Sequence, residues 1–189
     1  TDTNKIKLVL VDDILSSGKS VKESVAVLKE YNYEIAELLY KKISLTKDDN
    51  YLLCGLPYAG IPYANFISNK HKIPQIILRK ESKKHGLNNL IDGKISTDTN
   101  KIKLVLVDDI LSSGKSVKES VDILKEYNYK ISEVVVIVDR EEGGYDELVR
   151  QGIRIKALFK ITDILNILLS NNLLGENQMN KCLNYIKKE

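Results

Sequence analysis

Ile102-Lys103-Leu104-Val105-Leu106-Val107-Asp108-Asp109-Ile110-Leu111-Ser112-Ser113-Gly114-Lys115-Ser116 is the stretch on which the fold turns. The apolar run Ile102–Val107 ends in two carboxylates, and the turn residues Ser112-Ser113-Gly114 follow. Val117, Val121 and Leu124 then fall at i, i+4 and i+7, one stripe of a helix running through about Tyr127. This is a strand, a turn and a helix. Downstream, Ile131–Val138 is a second apolar run ending in Asp139-Arg140 and a Gly143-Gly144 turn. A third, Ile153–Phe159, leads to Thr162, which suits the N-cap of a helix over Ile164–Leu169. Upstream, Tyr51–Cys54 and Gln75–Leu78 read as buried strands separated by a helical pattern near Ala64–Ser68. The last segment, Glu176–Ile186, carries Met179, Leu183 and Ile186 on one helical face. Continuous apolar strands alternating with helices predict an open α/β fold, its sheet mainly parallel and covered by helices on both faces.

Composition sets the outer limits. The 189 residues include 29 basic and 26 acidic side chains, a formal charge of +3, with 43% apolar and 29% charged residues. These are the proportions of an ordinary globular protein. They do not suggest a polyanion binder, so nucleic acid is not expected as a partner. No apolar run approaches a membrane span, and no start resembles a signal peptide, so no membrane partner and a cytoplasmic location are expected. Cys54 and Cys182 are too few for a disulfide framework and lack metal-ligand spacing, so both are expected as buried, reduced thiols.

The opening segment repeats within the chain. Thr1–Ile35 and Thr97–Ile131 agree at 32 of 35 positions, differing at Ala26/Asp122, Val27/Ile123 and Glu34/Lys130. Two copies cannot make a solenoid. The second copy is embedded between strands and the first is not. Residues 1–35 are therefore expected to be an appendage and residues 36–189 the core.

In an open α/β sheet, ligands bind beyond the carboxyl ends of the strands. Ser112–Ser116, opening a helix, offer backbone N–H groups, hydroxyls and a positive helix end, which favour phosphate. Asp108 and Asp109 would repel that phosphate unless they bind something neutral or cationic, such as a sugar diol or Mg²⁺. A ribose 5-phosphate has both parts; a solvated turn is the plain alternative. Lys115-Ser116 after glycine also suggests a Walker P-loop, but that motif needs glycine where Asp109 stands, so an ATPase is excluded.

Together these residues resemble the type I phosphoribosyltransferases. Arg79-Lys80-Glu81-Ser82-Lys83-Lys84-His85-Gly86 is similar to the mobile catalytic loop of the orotate phosphoribosyltransferases, and Gly55–Pro62 to their pyrophosphate-side loop. Asp139–Gly144 resembles their orotate-side segment. The resemblance runs from about Ala36 to the C-terminus and looks closest to the first domain of the UMP synthases. It implies transfer from phosphoribosyl pyrophosphate (PRPP) to orotate in pyrimidine biosynthesis, with Mg²⁺ as cofactor and a homodimer that shares its active sites. The implied PRPP residues are Tyr58, Arg79, Lys80, Lys83 and His85 at the pyrophosphate, and Asp108 and Asp109 at the ribose hydroxyls. Ser112, Ser113, Gly114, Lys115 and Ser116 would surround the 5-phosphate, and Ile110 and Leu111 are implied as further PRPP-binding residues. Lys83, His85 and Asp109 are the implied catalytic groups, Ser112 and Arg140 would meet orotate, and no protein metal ligand is assigned.

The family carries an N-terminal segment that covers the orotate pocket, and here the repeat stands in its place. A PRPP-binding module without catalysis is therefore the second reading. A purine phosphoribosyltransferase is a weaker third, against which the Arg140 segment argues. Lys41-Lys42, Lys187-Lys188 and the repeat-helix lysines are expected to be solvated, and His71 a surface residue. Tyr31, Tyr33, Tyr127 and Tyr129 are expected to pack at helix ends.

Overall fold

A computed structural model describes residues 33–46, 50–79, 90–93 and 101–186. The first helix, α1, covers residues 33–42. It is followed by β1 (Asn50–Gly55), α2 (Gly60–His71), β2 (Gln75–Leu78), β3 (Ile91–Asp92), β4 (Ile102–Leu111) and α3 (Lys115–Glu126). The chain then forms β5 (Ile131–Asp139), α4 (Gly144–Arg150), β6 (Ile155–Lys160), α5 (Ile161–Ser170) and α6 (Glu176–Ile186).

The six strands lie in the order β3-β2-β1-β4-β5-β6. All neighbouring pairs are parallel except β2–β3. Alternation along each strand sends side chains to two separate cores. Leu53, Val105, Val107, Val135 and Ile137 face one side, with Ala64 and Ile67 of α2 and Ile164, Leu165 and Leu168 of α5. Leu52, Cys54, Leu104, Leu106, Val134 and Val136 face the other, with Val117, Val121 and Leu124 of α3 and Leu148 of α4. β1 connects to β2 over the first face, whereas β4 connects to β5 over the second. The direction of winding therefore reverses between β1 and β4.

Several local expectations change. β4 extends through Asp108-Asp109 to Leu111, because Asp108–Leu111 pair with β5 instead of turning away. β6 begins two residues later than expected, at Ile155, and ends at Lys160. The helical pattern near Ala64–Ser68 belongs to a longer helix, α2. Thr162 is not an N-cap: Lys160 holds that position without a side-chain bond, and the Thr162 N–H instead donates to Glu141 Oε2 at 3.0 Å. A carboxylate from another loop thus satisfies the first turn of α5.

Helix ends follow a rule that composition foreshadows. Asn128, Gly152 and Asn172 all take left-handed φ after α3, α4 and α5. At α3 the Asn128 N–H donates to Lys125 O and the Tyr129 N–H to Leu124 O. This is a Schellman closure with its accompanying apolar contact, since Tyr129 and Leu124 share one core. Tyr127 and Tyr129 therefore do pack at a helix end. His71, in contrast, is not a plain surface residue. Its ring stacks on Tyr40 with centroids 3.4 Å apart, and its Nε2 meets Glu37 Oε1 at 2.9 Å. Cys54 is buried and Cys182 only half-buried, both as free thiols. α1 crosses the expected boundary at 35/36, with Ile35 and Ala36 both buried in the core. Residues 1–32 of the first copy lie outside the described residues.

Candidate active site

Beyond the carboxyl ends of β1, β4 and β5 the chain forms three adjacent loops. Where the winding of an open sheet reverses, the flanking loops diverge and leave a crevice. Here that point falls between Leu56–Ala59, after β1, and the end of β4. β1 pairs with β4 only as far as Gly55 opposite Val107, so Asp108 to Leu111 continue past it with β5 alone. The Leu56 N–H donates to Val107 O at 2.8 Å, so the first loop starts against β4. Gly60 opens α2 so close to β4 that a Cβ there would lie 2.0 Å from Val107 O. Only glycine fits. Tyr58, 70% exposed, stands at the tip of this loop, and the Pro57–Tyr58 peptide is cis.

Asp108 is buried and Asp109 half-buried. Each carboxylate accepts the next backbone N–H, Asp109 N at 3.0 Å and Ile110 N at 2.8 Å, which orients both at the strand end. Ile110 is exposed, whereas Leu111 is buried against the core under the loop. Ser112 and Ser113 lead to Gly114, which takes φ +79° as the N-cap of α3. Lys115 and Ser116 begin the helix as exposed residues, and Lys115 Nζ lies 3.9 Å from Glu119 Oε1.

The loop after β5 is fastened to the loop after β4. The Arg140 N–H donates to Leu111 O at 2.8 Å, and the Gly144 N–H to Ser112 O at 3.0 Å. A Cβ on Gly144 would lie 2.1 Å from that same oxygen. Within the loop, Asp139 Oδ1 accepts the Glu141 N–H at 2.9 Å. Burial holds the Asp139 carboxyl above its ordinary range, with Glu141 and Asp146 adding to the effect against the Glu141 N–H and Lys160. Arg140 is half-buried, and its Nη2 meets Glu142 Oε1.

Arg79 follows β2, one strand beyond β1. Its guanidinium is engaged by Asp92 of β3, a partner with no sequence signal. Lys80, Lys83 and His85 lie outside the described residues. The remaining expected site residues, Tyr58 and Asp108 to Ser116 with Arg140, lie at the carboxyl ends of three adjacent strands and in the segments that follow them. Gly60, Gly144 and Glu142 are structural contributors there, and their sequence signal is their place within Gly55–Pro62 and Asp139–Gly144. A cleft of about 760 Å³ runs along β6 and takes in Asp139, Glu141 and Lys160, but not the end of β4. It lies outside the crevice.

The family model described as "Phosphoribosyl transferase domain" matches residues 32–156. The chain belongs to that family. Within it, the chain groups with the orotate phosphoribosyltransferases: it is 31% identical over 186 residues to the orotate phosphoribosyltransferase of Sulfolobus acidocaldarius. That match covers 96% of this chain and 92% of the relative. The uridine 5′-monophosphate synthase of Bos taurus is 35% identical over 136 residues, covering 71% of this chain but spanning only 28% of the relative. Among solved structures, the UMP synthase of Leishmania donovani superposes with a TM-score of 0.78 at 22% identity. That match covers 100% of this phosphoribosyltransferase chain and 43% of the other, and at such identity it speaks for the fold.

Proposed function

We infer that this chain is an orotate phosphoribosyltransferase of pyrimidine biosynthesis, a glycosyltransferase converting orotate and PRPP into orotidine 5′-monophosphate and pyrophosphate. One observation carries the reading. The paired carboxylates and Ser-Gly loop of β4 stand beside the Arg140 loop of β5, at the reversal of winding, in a chain similar over nearly its whole length to a protein of that name.

The proposed roles follow from charge. Asp108 and Asp109 hold the ribose hydroxyls, and Asp109 faces the positive charge that develops as the glycosidic bond breaks. Ser112 to Ser116 wrap the 5-phosphate with backbone N–H groups and hydroxyls, and Ile110 and Leu111 complete the PRPP-binding stretch. Ser112 and Arg140 receive orotate, whose carboxylate suits a guanidinium. Tyr58, Arg79, Lys80, Lys83 and His85 meet the pyrophosphate. Negative charge grows on that leaving group, so cations aimed at it lower the barrier, most of all where water is excluded.

Mg²⁺ is the implied metal. Among the described residues no cluster of three His, Cys, Asp or Glu side chains forms a ready cage. Mg²⁺ is commonly held by one or two carboxylates together with substrate phosphates and water, and Asp108 and Asp109 fit such a site as hard oxygen donors. When bound, the ion would neutralise phosphate charge. We further propose a cytoplasmic homodimer in which the loop over residues 79–86 reaches the neighbouring subunit's site, with residues 1–35 an appendage that joins the core over 36–189 through α1. The support for this assembly is the resemblance to the family. No helix among the described residues is long and apolar enough to cross a membrane.

The deciding experiment is spectrophotometric: orotate consumption by the purified chain with PRPP and Mg²⁺. Orotate-dependent turnover is expected. PRPP binding by a folded chain that never consumes orotate would replace the enzyme with a binding module.

A further inference from the structure

We propose that Glu142 is a positioning residue, which sets the direction of the Arg140 guanidinium and through it the affinity for the carboxylate-bearing base. This rests on the functional reading above and assigns a role within its base site.

In the loop Asp139–Gly144 each acidic side chain has a distinct task. Asp139 accepts the Glu141 N–H and folds the turn. Glu141 leaves the loop altogether, accepting the Thr162 N–H at the start of α5 and lying 3.8 Å from Lys160 Nζ. Glu142 instead turns inward. Its side chain is 3% exposed, and its Oε1 meets Arg140 Nη2, while the Arg140 side chain stays 40% exposed.

The backbone explains the inward turn. Glu141 at φ +57° and Gly143 at φ +83° flank Glu142, so the chain bends through left-handed conformations on both sides of it. For Glu141 this is an uncommon and costly geometry, of the kind retained where it positions something. A buried carboxylate is itself costly unless a cation lies against it.

A guanidinium presents five N–H donors in a rigid plane. With Nη2 against the buried Glu142 carboxylate and the Arg140 side chain 40% exposed, the remaining donors stay accessible. Arg140 would otherwise swing on a long, flexible side chain, and substrate would have to order it upon binding. Orienting it beforehand reduces that cost. The Arg140 backbone is already fixed by its N–H bond to Leu111 O. Glu142 completes the restraint at the other end of the side chain.

Steady-state kinetics with each substrate varied separately tests this. Glu142→Ala is expected to raise the KM for orotate by about tenfold or more, with the KM for PRPP within about twofold. Glu142→Gln, which keeps the shape of the side chain but removes the charge held against Nη2, is expected to raise the orotate KM less than Glu142→Ala does, with the KM for PRPP again within about twofold. In an Arg140→Ala background, adding Glu142→Ala should change the orotate KM by no more than about twofold, because the second residue acts through the first. If Glu142→Ala does not fold, Glu142→Asp shortens the arm and is expected to show the same split between the two KM values. An unchanged orotate KM, an equal rise in both constants, or an undiminished effect without Arg140 would overturn the proposal. A wild-type chain that turns over no orotate would overturn the functional reading, and the proposal with it.

Discussion

Tyr33 and Tyr129 hold the same place in two nearly identical segments, and their surroundings differ in almost every respect. Tyr33 lies on α1, 58% exposed, with its ring centroid 4.4 Å from that of Phe66. Tyr129 is 3% exposed, closes the end of α3 and leads into β5. Two residues later the contrast continues on opposite sides of the sheet. Ile35 is buried in the core beneath α1 and α2, while Ile131 packs against the core beneath α3. The continuation differs in each case: Ala36-Glu37-Leu38-Leu39 favours helix, whereas Ser132-Glu133-Val134-Val135-Val136 favours strand. Conformation at the end of the repeat is decided by what the next segment buries.

The sharpest way to break this comparison is to disarm each copy in turn. Asp108→Asn/Asp109→Asn should lower turnover by about 10³ or more while the fold persists, and Asp12→Asn/Asp13→Asn should change it by less than about twofold. Calorimetry should find one PRPP site per chain. Two equivalent sites, or matching losses from the two double variants, would mean that context does not select the working copy.

Next in size is the contribution of the segment before the second copy. Lys83→Ala should reduce kcat by about 10² to 10³ with ground-state binding largely spared, since the lysine is assigned to charge that grows only during bond breaking. A normal kcat in the folded variant removes that loop from the mechanism.

The two tyrosines provide a third test, read by chemical denaturation. Tyr129→Ala should cost about 3–5 kcal/mol, as for other fully buried aromatic side chains. Tyr33→Ala should cost no more than about 1 kcal/mol, because most of its surface is already in water. Equal losses would show that the first copy's end is as deeply integrated as the second's.

The smallest effect concerns how α1 is held. Burial alone would raise the Glu37 carboxyl, but hydrogen bonds and charge from His71 and Lys70 bring it below its ordinary value. Its contribution is therefore present above the ordinary carboxylate range and is lost as pH falls through the lowered folded value. Glu37→Gln should flatten the acid limb of the curve of Tm against pH. An unaltered limb would mean that these groups do not fasten α1.

Much of this architecture was legible. The strands announced themselves as continuous apolar runs because the sheet is covered on both faces, and the α3 stripe of Val117, Val121 and Leu124 had the expected period. The loops after β4 and β5 were readable because their chemistry is local: carboxylates, small residues and an arginine at strand ends. The readings that changed depended on distant partners. Thr162 looked like a cap, but Glu141 supplies the acceptor from another loop. His71 looked solvated, but Tyr40 and Glu37 approach from a helix more than thirty positions away. Asp92 carries no motif and matters through Arg79. The reach of β4 to Leu111 was hidden because the apolar run ends at Val107, and the ladder partners of Asp108, Ile110 and Leu111 come from β5.

Gly144 has a consequence for substrate size. Its backbone lies against Ser112 with no room for a side chain, and the Arg140 N–H is bonded to the last residue of β4. The wall that is proposed to grip the sugar phosphate and the wall that is proposed to receive the base are therefore one rigid piece. Their separation is set by the interval between neighbouring strands, about 4.8 Å, and not by loop length. The sheet thus acts as a ruler. On the proposed roles it would fix how far the base stands from its ribose, and spreading these two loops apart would break the Arg140–Leu111 and Gly144–Ser112 bonds.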